Sequence, residues 1–203
     1  MIKRVVFCFL ALMGVAGAAE TTFGDVEIGA AAPAFSLKNL SGESVSLADY
    51  AGKVVVLEWF NPGCPFVKQA HGEGGALEKM ASEWSAKEVV WLAINSGAPG
   101  KQGTGVEVNL AAQKKWSMKH PILLDEDGTV GRLYSAKTTP QMVVIDPKGR
   151  QVYNGAVDNA PFGKPNGDSL SPITNTVLAA VTAGKPSPQS RSKPYGCSVK
   201  YGG

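Results

Sequence analysis

Cysteine, histidine and net charge are all scarce in this 203-residue chain. It holds three cysteines, two histidines, and 20 basic against 17 acidic side chains, for a formal charge of +3. Two histidines and no compact Cys/His spacing leave no visible metal-ligand cluster, so no metal is expected; copper or zinc on Cys64 and a histidine is the least favoured alternative. The near balance of charge excludes the basic footprint of a nucleic-acid partner. Past residue 19 no apolar run approaches the roughly twenty residues of a membrane span. The Gly-rich stretch SGAPGKQGTG lacks the Lys-Ser/Thr ending of a phosphate cradle, and no nucleotide or other cofactor is expected.

The first residues, MIKRVVFCFLALMGVAGAAE, put Lys3 and Arg4 before an apolar stretch of about fifteen residues that ends in small side chains. That pattern predicts a secretory signal peptide over 1–19, cleaved after Ala18 or Ala19, and hence an exported, periplasmic or similar location with no membrane association after cleavage. Cleavage takes Cys8 away and leaves Cys64 and Cys197, an even pair, in a compartment that permits disulfides. The remaining charge of about +1 names no partner. The expected organisation is a signal over 1–19, one domain over 24–183 and a tail over 184–203.

Alternating periods of two and 3.6 predict an α/β domain. Residues 35–37 and 45–47 form a hairpin about Ser41-Gly42, and 53–60 a buried central strand. A helix follows from Pro65 to about Trp84, weakened or split by Gly72, Gly74 and Gly75. Further strands are expected at 89–95 and, as a short edge strand, at 122–124; helices at 106–116, 128–134 and 170–183; and a hairpin, 142–145 with 152–154, turned by DPKG. The tail GKPSPQSRSKPYGCSVKYGG is rich in Pro, Gly and Ser, yet Cys197 between Tyr195 and Tyr201 gives it an anchor and apolar surface to dock.

The chemistry centres on NPGCPFVKQAH, residues 61–71. Cys64 stands at a helix start, where free N–H groups and the helix dipole favour a thiolate. A structural cysteine is the alternative. Lys68, one turn on, is placed either to support that thiolate or simply to face solvent. Glu58 interrupts the apolar run VVVLEWF. A buried carboxyl there needs a partner or a proton, and a raised pKa would let it exchange a proton with a leaving thiol; an edge glutamate reaching water is the other reading. His71 lies about 10 Å along the helix from Cys64, too far for a thiol–imidazole pair, and His120 has a weaker claim still.

The stretches LEWFNPGCPF, LLDEDGTVGRLYSAKTTP, MVVIDPKG and KPYGCSVKY together resemble the thioredoxin-like redoxins, in particular a peroxiredoxin-like group of exported bacterial proteins. The resemblance covers about residues 28–183. It implies a thioredoxin fold, a central mixed sheet flanked by helices with an N-terminal hairpin and a C-terminal tail. It also makes Thr139 and Pro140 the threonine and cis-proline facing the active-site cysteine, where an extended substrate pairs, and Glu58 the buried acid. Two departures stand out. Val67 replaces the second cysteine of a dithiol motif, and Asn61 and Pro140 stand where peroxiredoxins carry a hydroxyl residue and an arginine.

The implied function is a thiol-disulfide oxidoreductase or thiol-dependent antioxidant protein with Cys64 as nucleophile and Cys197 as resolving partner. Its partners are a disulfide or dithiol protein, or a small peroxide, and an external thiol reductant. A non-catalytic module stapled by Cys64–Cys197 is the rival.

Overall fold

The computed structural model describes residues 26–72 and 75–203; the expected signal segment lies outside the described residues. Strand β3 (Val55–Trp59) is its centre. All five residues are buried, as a strand covered on both faces requires. It runs parallel to β4 (Val90–Asn95) and antiparallel to β7 (Gln141–Ile145). With β1 (Ser36–Asn39), β2 (Ser44–Ser46), β5 (Ile122–Leu124) and β8 (Gln151–Gly155) it completes a mixed seven-stranded sheet ordered β2-β1-β5-β4-β3-β7-β8.

One expectation fails in the sheet. Strand β5 is an interior strand, parallel to β4 and antiparallel to β1, with Lys38 opposite Leu124 and Asn39 opposite Leu123. Its outer edge is capped by the hairpin of β1 and β2, a pairing across more than eighty residues that a local apolar pattern does not contain. Fully buried Ile122 and Leu123 fit a strand covered on both sides.

Helices cover both faces. On one, α2 (Ala76–Ser85) and α5 (Ile173–Thr182) press Leu77, Met80, Trp84, Val177 and Leu178 onto Val56, Trp91, Met142 and Val144. On the other, α4 (Thr129–Leu133) and the turn after it set Val130 and Tyr134 against Leu57, Trp59, Ile94 and Val143. Those that are fully buried, such as Leu77, Leu178 and Tyr134, each contribute on the order of 1.5–3 kcal/mol of apolar transfer. The predicted long helix is divided into α1 (Pro65–His71) and α2, and a Cβ on Gly75 would collide with the Ala70 carbonyl. Helix α3 (Val106–Lys115) closes the same side as α1, with Ala112 beside Ala93, Ile122 and Cys64.

Residues 184–203 dock along the domain. The Asn154 N–H donates to the Ser190 carbonyl, Tyr195 donates to Asp158, and Val199 joins the core beside Val130 and Tyr134. The Tyr201 hydroxyl donates to the Ala136 carbonyl beneath the Arg132 guanidinium. Between these anchors β9 (Cys197–Ser198) pairs antiparallel with β6 (Thr138–Thr139). No helix among the described residues is long and apolar enough to cross a membrane.

Candidate active site

Asn61 builds the turn that presents Cys64. Its Oδ1 accepts the Gly63 N–H at 2.7 Å, its carbonyl accepts the Cys64 N–H at 3.0 Å, and its Nδ2 donates to the Gln102 carbonyl at 3.0 Å. A Cβ at Gly63 would lie 2.6 Å from the exposed Gln102 side chain, which would have to shift to admit it. Cys64 then takes the N-cap position of α1, with Pro65 in the first helical place.

The Cys64 side chain is completely buried, packed with Phe60, Val67, Ala93 and Ile122. Its thiol donates to the Thr139 carbonyl at 3.1 Å. The Thr139–Pro140 peptide is cis. Because β6 and β9 pair with Thr139 opposite Cys197, main-chain register brings the second cysteine to the first across more than 130 residues. Both are free thiols here.

The two sulfurs are tuned in opposite directions. Burial pushes the Cys64 thiol up, but donors outweigh it and hold it below its ordinary value. The Cys197 thiol is the largest, followed by the Thr139 side chain and the Val67 and Cys197 N–H groups. Cys197 is partly exposed and is pushed up to about 11, by burial first and then by Cys64. Lys68 lies exposed on α1, its N–H donating to the Cys64 carbonyl at 2.9 Å.

Glu58 does not reach water. It is fully buried, with Oε1 2.6 Å from His71 Nε2 and Oε2 accepting the Trp91 N–H at 2.9 Å. The expected raised pKa is also corrected. Burial acts upward, yet the His71 charge and hydrogen bond override it and hold the Glu58 carboxyl below its usual range. Reciprocally, His71 is raised to about 9 against its own burial, by Glu58 and then Glu78, whose Oε2 lies 3.6 Å from Nδ1. His120, 6.4 Å from the His71 ring, is lowered by burial. The sequence signalled only that a carboxylate inside an apolar strand needs a partner or a proton; which group it meets follows from the fold.

Among the described residues no group of three or more His, Cys, Asp and Glu side chains is placed to hold a metal. The arginines of the described residues are engaged elsewhere: Arg132 with the Asp127 and Gly202 carbonyls, Arg150 with Asp146, and Arg191 with the Val26 carbonyl.

Residues 28–153 match the AhpC/TSA family. The chain belongs to that family. Its AhpC/TSA segment contains Cys64, Thr139 and Pro140 and ends well before Cys197. Over 124 residues the chain is 34% identical to thioredoxin-like protein YneN of Bacillus subtilis (strain 168), covering 61% of this chain and 68% of that protein. It is 24% identical over 161 residues to thiol-disulfide oxidoreductase ResA of Bacillus cereus (strain ATCC 10987 / NRS 248), covering 74% and 86%. An uncharacterized conserved protein from Geobacillus kaustophilus superposes with a TM-score of 0.77 at 29% identity, covering 87% and 93%. The fold is thus the thioredoxin fold of the redoxin superfamily, and the family is one of thiol oxidoreductases.

Proposed function

We propose that the protein is an exported thiol-disulfide oxidoreductase whose exchanging pair is Cys64 and Cys197. The observation that carries this reading is the pairing of β9 with β6, which sets the Cys197 thiol against the buried Cys64 thiol, where it is the largest of the donors that favour Cys64 ionisation. A thiolate is the nucleophile and the better leaving group in exchange, so such a pair opens and closes with a dithiol or disulfide partner. The Thr139 carbonyl holds the sulfur in place, and Lys68 supplies an exposed positive charge for an acidic partner surface. Glu58, held by His71, keeps the layer beneath α1 fixed.

Exchange is favoured over peroxide reduction by two features. Asn61, in place of a hydroxyl residue, is used up in turn hydrogen bonds, and the arginines of the described residues are bonded away from Cys64. The deciding experiment is a titration of the protein in glutathione buffers with free-thiol counting. The expected outcome is that two thiols disappear and return together, at a potential more oxidising than about −300 mV. A bridge that resists the whole glutathione range would make the pair a staple and end the enzyme reading. N-terminal sequencing of the secreted product, expected to begin at Ala19 or Glu20, tests export.

A further inference from the structure

We infer that the external thiol or disulfide exchanges at Cys197, and that Cys64 is the internal thiolate that opens and closes the bridge. This rests on the Cys64–Cys197 couple proposed above and gives its order, reversing the roles expected from the sequence. Displacement at a disulfide is in line: the incoming sulfur approaches from the side opposite the leaving sulfur. Cys64 has no exposed surface for that approach and is enclosed by Phe60, Val67, Ala93 and Ile122. Cys197, on the short strand β9, is partly exposed.

The cover is not a loose flap. On one side of Cys197 the Tyr195 hydroxyl donates to Asp158 at 2.6 Å. On the other, Val199 N–H donates to the Lys137 carbonyl, the Lys200 carbonyl accepts the Ala98 N–H, and Tyr201 is held by the Ala136 carbonyl and Arg132. These bonds hold the segment on either side of Cys197 in place beside Cys64, and Cys197 is partly exposed with all of them intact.

The steps balance. A partner thiolate RS⁻ attacks the Cys197 sulfur, forming R–S–S–Cys197 as the Cys64–Cys197 bond breaks and its electron pair leaves on Cys64 as thiolate. A second RS⁻ then takes the R–S group as R–S–S–R and leaves Cys197 as a thiolate that collects a proton, so two thiolates are oxidised and one bridge is reduced. In the opposite direction the Cys197 thiolate attacks R–S–S–R, and Cys64 displaces RS⁻ from the mixed disulfide.

The test uses the oxidised full chain and a limiting amount of reduced glutathione, quenched with acid, alkylated and mapped by peptide mass. The expected adduct is glutathione on Cys197 with alkylated Cys64; glutathione on Cys64 overturns the inference. In a second arm, reduced Cys64→Ser and Cys197→Ser variants meet oxidised glutathione. Cys64→Ser should form its adduct at least about tenfold faster, and denaturant should abolish the difference. Faster reaction of Cys197→Ser in the native state overturns the order. A protein that forms no Cys64–Cys197 bridge defeats the proposed couple itself, while a bridge opened at Cys64 defeats only the order.

Discussion

Glu58 is the residue at which burial and charge compete most directly, and His71 decides the outcome. His71 has a folded pKa of about 9 against an ordinary value near 6.5, so its contribution is full below about pH 6.5 and fades as pH rises through 9. Glu58 is lowered, so its contribution holds above its unfolded value, about 4.3, and is lost as pH falls through the lower folded one. Denaturant unfolding should therefore show greatest stability between about pH 4.5 and 6.5, with an alkaline decline that His71→Gln removes. At about pH 6 that substitution should cost about 3–5 kcal/mol, because it strands a buried carboxylate. Glu58→Ala should likewise destabilise, leaving His71 and Trp91 without their acceptor. An unchanged alkaline limb in His71→Gln would refute the ion pair.

Strand β9 is two residues long, yet it decides where the second sulfur sits. Gly196 makes the pairing possible: its φ is +140°, and a Cβ there would collide with the Thr139 carbonyl. Gly196→Ala should lift Cys197 from β6 without touching the central sheet. The expected result is bridge formation slowed by about tenfold or more under a fixed oxidant, with far-UV circular dichroism unchanged. Bridge formation at the parent rate would show that β6–β9 register does not set the thiol pairing. Strand β5 illustrates the same dependence on distant pairing, since the hairpin of β1 and β2 converts an apparent edge into an interior strand.

Across the whole molecule the couple links redox state to stability. A Cys64–Cys197 bridge closes a loop of about 130 residues, for which chain entropy allows up to roughly 5 kcal/mol of stabilisation of the oxidised form. Thermal unfolding should show the oxidised protein melting higher than the reduced one, with Cys197→Ser insensitive to reductant. Equal midpoints would mean that the bridge gives no net stabilisation. The tail belongs to this coupling because Val199 and Tyr201 pack into the core that carries Val130 and Tyr134. Deleting residues 185–203 should lower stability by more than loss of the bridge alone, as compared with Cys197→Ser in the same melting experiment.

The sequence by itself determined most of the elements, because their signals are local: the apolar run of β3, Pro65 after Cys64, the breaking glycines before α2 and the DPKG turn. It also determined that Cys64 begins a helix and that Glu58 needs an explanation. Only the tertiary structure decided that Glu58 meets His71, that β5 is interior and that Cys197 pairs across from Thr139. It also decided that the sulfur at the helix start is the buried one. The physical reason is common to all four. Each depends on which distant segments share a sheet edge or a helix face, and ionisation and access follow from that packing, which spacing along the chain does not encode.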